Sequence, residues 1–303
     1  MGVLSRAACG ALLVVGALLS TTSTTRSAHA QQESAAAAMA GHDDDAPKKT
    51  TQKPEEQLVV KGGEQAPSPH WTQSRSFAAT RFWLLDPGNQ SVEVWYSTRI
   101  RHDGNAGDTR HLWQLEYMFS PFRGFEVDVY ANYAHDQLDG FHIEGAQIEG
   151  RIAPFRYGQV FLNPVLYLEW HPQNRDANRA EARLLLGGQL FTPRLHAALN
   201  PFWEQNLDSA DGVRAHYVAD REIGLSAALQ YAIIDRHFAL GAEARVLADQ
   251  QGAPTSYQSV VKAGPALWLN FDDGHVFLTA TALVGLTNKS DLLNPIVILG
   301  IHP

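Results

Sequence analysis

The charged side chains in the latter two-thirds of the chain fall mostly on alternating positions that share one face of each segment. The acids are Glu93, Glu116, Glu126, Asp128, Glu144, Glu149, Glu169, Glu181, Glu204, Glu222 and Glu243. The bases are Arg99, Arg151, Arg183, Arg245 and Lys262. Eleven acids against five bases around an aqueous path would favour cations over anions. The same residue types also form Arg–Glu networks that brace the inside of a closed sheet. Both readings put these residues on one wall, as a solute path or as a brace.

Other chemistries lack their constellations. A serine nucleophile needs a histidine in reach and a third group to orient it. The spacing His-x-Ser is absent, and His111, His196, His216 and His237 fall on separate segments without an evident serine. No catalytic residue is assigned. Asp103-Gly104-Asn105-Ala106-Gly107-Asp108 spaces oxygens as a calcium loop would, but lacks the glycine position and terminal bidentate glutamate of an EF-hand. It reads as a polar turn. Gly41-His42-Asp43-Asp44-Asp45 reads as a solvated acidic run. Neither a phosphate-cradling loop nor a dinucleotide fingerprint occurs. No metal and no cofactor is expected from these spacings.

The elements that must position the wall alternate with period two from Ser91 onward. Val92, Val94, Tyr96, Thr98 and Ile100 share one face, and Glu93, Trp95, Ser97 and Arg99 share the other. Val127, Val129 and Ala131 oppose Glu126, Asp128 and Tyr130 in the same way. The pattern predicts twelve strands, at 91–100, 110–119, 125–134, 141–152, 159–170, 179–190, 194–205, 220–231, 237–247, 257–270, 276–286 and 293–302. Five short turns and six longer polar loops interleave between them. A soluble sandwich or lipocalin would have shorter strands and less regular loops. Strands of 10–12 residues suit a tilted bilayer crossing. Tyr96, Trp113, Tyr133, Trp170, Trp203 and Tyr231 lie near strand ends, as interfacial girdles require.

Two local irregularities carry expectations. The fourth strand changes parity, and a bulge near Gly145 would turn Glu144, Glu149 and Arg151 inward. Asn163-Pro164, Asn200-Pro201, Gly264-Pro265 and Asn294-Pro295 predict bulges or strand entries, because proline removes a ladder donor.

The chain has 303 residues, 45% hydrophobic and only 18% charged, against about 25% charged in an ordinary soluble domain. Mean hydropathy is −0.22. After the first 30 residues no apolar run reaches the length of a membrane helix. Residues 1–30 read as a cleaved signal peptide, with Arg6, an apolar run from Ala7 to Leu19, and Ala28-His29-Ala30 as the cleavage site. The single cysteine, Cys9, lies inside that run, so disulfides and thiolate chemistry are excluded from the mature chain. Removing Arg6 and Arg26 leaves 22 basic against 32 acidic residues, a net charge near −10. No nucleic-acid partner is expected on that balance. Residues 31–70 read as a disordered periplasmic tether, 71–90 as a mouth or plug segment whose Trp71–Leu85 stretch packs on the domain that follows, and 91–303 as the barrel.

Residues 91–303 resemble a Gram-negative outer-membrane β-barrel. The likeness is architectural and rests on strand length, alternation and loop spacing, without a family-specific motif. It implies an all-β, twelve-stranded antiparallel up-and-down barrel in the outer membrane. Membrane lipids, the barrel assembly machinery and small solutes would be its partners. The last strand alternates Ile298, Leu299, Gly300 and Ile301 but lacks the terminal aromatic residue such barrels commonly carry. With the acidic excess of the inward faces, the leading expectation is a passive channel or transporter for small solutes with a polar, net acidic lumen. The alternatives are a structural or interaction barrel with a closed interior, and a lipid-modifying enzyme.

Overall fold

A computed structural model describes residues 68–101, 109–136, 140–174, 177–207, 221–250 and 257–303. The expected signal peptide, the tether and the Asp103–Asp108 turn lie outside them.

Twelve antiparallel strands close into a barrel in which each strand pairs with the next and β12 pairs with β1. The first six are β1 (Gln90–Ile100), β2 (Thr109–Phe122), β3 (Phe125–Asp136), β4 (Gly140–Ile152), β5 (Val165–His171) and β6 (Arg179–Gln189). The rest are β7 (Leu195–Asn206), β8 (Arg221–Ile234), β9 (Phe238–Gln250), β10 (Tyr257–Phe271), β11 (Val276–Gly285) and β12 (Leu293–Ile301). Closure leaves no edge strand with unpaired backbone groups, which a bilayer requires. Val94, Val129, Ile148, Leu168, Leu225 and Leu299 are exposed on the outer face. Their neighbours in sequence point inward, so the outside is apolar and the inside polar.

Aromatic rings mark the rim of the barrel. Tyr96, Trp113 and Phe141 follow one another across β1, β2 and β4, at ring separations of 5.5 and 5.8 Å. Trp170, Trp203 and Tyr231 are exposed on other strands.

The parity change in β4 is a bulge. Asn132 pairs with Gly145 and Tyr133 with Ile143, which leaves Glu144 as the extra residue. Glu149 and Arg151 are consequently buried inside.

The fifth strand is shorter than its alternation suggests, beginning at Val165 and not at 159. Leu162 and Asn163 adopt positive φ of 59° and 44°. Asn163 tolerates this conformation because its side chain is bonded at both ends. Its Oδ1 accepts from Gly158 N at 2.5 Å and its Nδ2 donates to Gly187 O at 2.9 Å. The strand enters only after Pro164. The connection from β4 to β5 is therefore long, and the strict interleaving of short and long links fails there.

Two other prolines do not bulge. Around Pro201 the β6–β7 register passes from Arg183↔Phe202 to Leu186↔Leu199 without a shift, and around Pro265 the β10–β11 register is likewise continuous. At Pro295 the missing backbone donor is replaced by Asn294, whose Nδ2 donates to Thr98 O of β1 at 2.9 Å.

Candidate functional site

Residues 68–89 enter the barrel and return through the same end, the one bearing the short turns. The segment begins with a 3-10 turn at His70–Thr72. Its two ends meet where Ser68 Oγ donates to Asp86 Oδ1 at 3.0 Å. Trp71, Phe77, Phe82, Trp83 and Leu84 are buried against Val165, Tyr167, Leu185, Ala198, Ala228, Ala239 and Trp268 of the wall. Of the two placements expected for this segment, mouth or plug, its packing against inward-facing wall residues is that of a plug.

Small inward residues make room for it. A Cβ on Gly187 would sit 2.6 Å from the Phe82 ring. Trp71 stacks on His196 with ring centres 4.0 Å apart.

Polar contacts lock the plug backbone to the wall. Glu243 accepts from the backbone N–H groups of both Ala78 (2.8 Å) and Ala79 (2.7 Å). Glu126 Oε2 accepts from Leu85 N at 2.5 Å, and Asn200 Nδ2 donates to Arg81 O at 2.6 Å. Thr279 Oγ1 donates to Arg75 O.

Two arginines of the plug meet the acids of β1–β3. Arg75 contacts Glu93 at 2.7 Å and Glu116 at 3.1 Å. Arg81 contacts Glu126 at 3.1 Å and Glu116 at 3.6 Å. Arg151 joins the cluster at 2.8 Å from Glu126 and 2.9 Å from Asp128, and it also pairs with Glu149. Buried carboxylates of this kind persist only with such partners.

The register explains why so many counter-charges are needed. Asp128, Glu149, Glu169, Glu181, Glu204 and Glu222 are successive direct cross-strand partners from β3 to β8. Like charges placed directly opposite repel. Arg183 holds Glu181, and Arg179 holds Glu204 at 2.8 Å. Arg245 approaches Glu222 at 3.8 Å. Glu169 accepts from Tyr167 Oη and faces His171 Nε2 at 3.2 Å. Lys262 pairs with Asp291.

Glu169, His171 and Glu181 present three ligand atoms within 4.8 Å of one another, a composition that suits a divalent cation. Hydrogen bonding argues against ligation by His171. Gln114 Nε2 donates to Gln147 Oε1 at 2.6 Å, so Gln147 turns its N–H to His171 Nδ1 at 2.7 Å. The imidazole proton then sits on Nε2, where a metal would need a lone pair.

The other half of the lumen holds a cavity of about 610 Å³ at the end bearing the long loops. Its lining includes Trp95, Arg99, Arg110, Gln114, Asn132, Glu144, Gln147, Arg179, Glu204, Glu222 and Arg245. Of the residues expected on a solute path, Arg99, Glu204, Glu222 and Arg245 reach this cavity. Glu93, Glu116, Asp128, Glu149, Arg151 and Glu243 belong instead to the plug and its surrounding network. Glu169, Glu181, Arg183 and Lys262 are held within the wall by the pairs described above.

The acidic excess read from the strands is smaller in three dimensions. Arg75, Arg81, Arg110 and Arg179 also face the interior, four bases beyond the five on the expected wall, while Asp291 beside Lys262 adds one acid. Arg110 and Arg179 share the inward parity of Glu116 and Glu181, so their positions were readable. Arg75 and Arg81 lie before the first strand, where no periodicity assigns a face. Among the described residues, no serine hydroxyl is hydrogen-bonded to a histidine.

A closed twelve-stranded antiparallel barrel, apolar outside and charged within, is an outer-membrane β-barrel. Two solved structures share this fold. The COG4313 outer membrane channel from Pseudomonas putida F1 is similar with a TM-score of 0.52 and 10% identity, over 73% of this chain and 98% of that chain. The NanC porin in a rhombohedral crystal form is similar with a TM-score of 0.50 and 10% identity, over 70% of this chain and 98% of that chain. No family model and no curated protein matches the sequence.

Proposed function

We propose that the protein is an outer-membrane channel for small solutes, seen here with its lumen closed by residues 68–89. The observation that carries this reading is the division of one barrel interior into a water-accessible cavity and a plug contributed by the same chain. The fold shared with a channel and a porin supports it. Passage would be by diffusion once the plug yields, because the lumen holds no second domain among the described residues. The cavity wall is mixed in charge, so the net acidic path expected from the strands does not extend through it.

A second reading is a structural or interaction barrel with a permanently closed interior. The dense ion pairing of Arg75 and Arg81 favours it. Single-channel recording of the refolded full chain in planar bilayers, beside a variant lacking 68–86, separates the two. Discrete openings that lengthen or multiply in the variant support the channel. A variant that folds as a barrel yet never conducts leaves the closed-interior reading.

A further inference from the structure

We infer that the cavity at the long-loop end binds a small organic anion bearing one carboxylate-type charge, with Arg99 as its principal anchor. This names a solute class for the channel reading and builds on it.

Arg99 and Arg110 are direct cross-strand partners, two like charges placed side by side. Three of the four cavity arginines have a carboxylate of their own. Arg110 pairs with Glu144, Arg179 with Glu204, and Arg245 with Glu222. Arg99 makes no hydrogen bond or ion pair among the described residues. Asp291, the acid bearing most on Arg99, is bonded to Lys262. Arg99 is nevertheless exposed, and it lines the cavity.

The deficit is one of acceptors as well as charge. A guanidinium carries five N–H donors and no acceptor. Arg110 Nε and Arg245 Nε are buried without an acceptor. A carboxylate or phosphate-like group entering the cavity would supply acceptors to Arg99 in the forked geometry that guanidinium matches. A cation entering the same space would meet four guanidinium groups against three carboxylates that are already held. The volume lies within the roughly 300–1,000 Å³ of small-molecule sites. Gln114, Asn132 and Gln147 on the wall offer both donors and acceptors, which suits hydroxyl groups on the bound molecule.

Titration calorimetry of the refolded full chain tests the inference, with gluconate as the hydroxylated anion and glucose as its uncharged counterpart. Gluconate is expected to bind, to weaken with added salt, and to discriminate against glucose. Arg99→Gln is expected to weaken gluconate binding about tenfold or more. Arg99→Lys keeps the charge without the fork and should fall between. Equal binding of glucose, or unchanged gluconate affinity in Arg99→Gln, overturns the inference. If Arg99→Gln does not fold, Arg99→Lys and the salt series on the native protein decide it, and salt-independent binding overturns it. Calorimetry needs no conduction, so the two readings fail separately. A conducting protein blind to gluconate overturns the anion site alone, and a binder that never conducts overturns the channel alone.

Discussion

The Arg75 guanidinium lies 4.2 Å from the centre of the Trp95 ring, so one indole is both a contact of the plug and part of the cavity wall. Trp95 Nε1 donates to Glu93 at 3.0 Å and to Glu116 at 2.9 Å, the two acids that hold Arg75. The ring is thus fixed by a cation on its face and two carboxylates at its edge. Withdrawal of the plug would remove the cation and leave the carboxylates close together without it. The closed state is therefore coupled to the shape and charge of the cavity through a single side chain.

Replacing Arg75 and Arg81 together with alanine should loosen the plug and raise channel activity. The variant loses two positive charges facing Glu93, Glu116 and Glu126. Breaking a buried pair by removing one partner costs about 3–5 kcal/mol. Reversal potentials in a salt gradient should also shift toward cation preference relative to the native chain. Conductance and selectivity indistinguishable from the native protein would show that these arginines do not hold the lumen shut.

Glu243→Ala should free the middle of the plug without altering the outer face. Glu243 accepts two backbone N–H groups from adjacent residues, and bonds to a charged acceptor contribute about 1.5–3 kcal/mol each. Loss of even one corresponds to roughly a tenfold or greater rise in the undocked population. Limited proteolysis within 68–89 measures that population. Glu243→Gln keeps one oxygen acceptor and should be intermediate.

Gly187→Ala should destabilise the closed state by about 1–3 kcal/mol through overpacking. The new methyl would meet the Phe82 ring at 2.6 Å and Ala197 O at 2.7 Å. Phe82→Leu should recover only the part owed to the ring, because the backbone oxygen cannot move aside. Urea unfolding in micelles with a double-mutant cycle gives the coupling. A coupling of zero would mean that Phe82 does not pack on β6.

The wall was legible because a strand repeats every two residues. That period alone assigned Glu93, Asp128, Glu181 and Arg245 to the interior, and the bulge beside Gly145 followed from one break in it. The start of the fifth strand is not legible in the sequence, because the left-handed turn at Leu162 and Asn163 leaves no mark on alternation. The plug carries no period at all. Trp71–Leu85 announced a packing segment by composition, but not whether it sits at the mouth or inside. Two signals bore on that choice: the small inward residues Gly187, Ala198, Ala228 and Ala239, and an acid excess lacking its bases. The row of acids from Asp128 to Glu222 depends on register between strands, which one sequence does not display.

Acidification should weaken the barrel at the end of β12, through His302. Burial holds this imidazole below its ordinary value of 6.5, and Phe277 packs beside it with ring centres 5.4 Å apart. A depressed value means that the unfolded chain takes up the proton first as pH falls. The stability contribution is then fully present above the ordinary value and is lost as pH drops toward the folded one. The native chain should lose urea resistance as pH falls through about 6.5 and below, and His302→Gln should lose less over the same range. The difference between the two curves isolates His302 from the acids of the lumen, which are the same in both. Parallel curves would show that the imidazole is not held neutral by its surroundings.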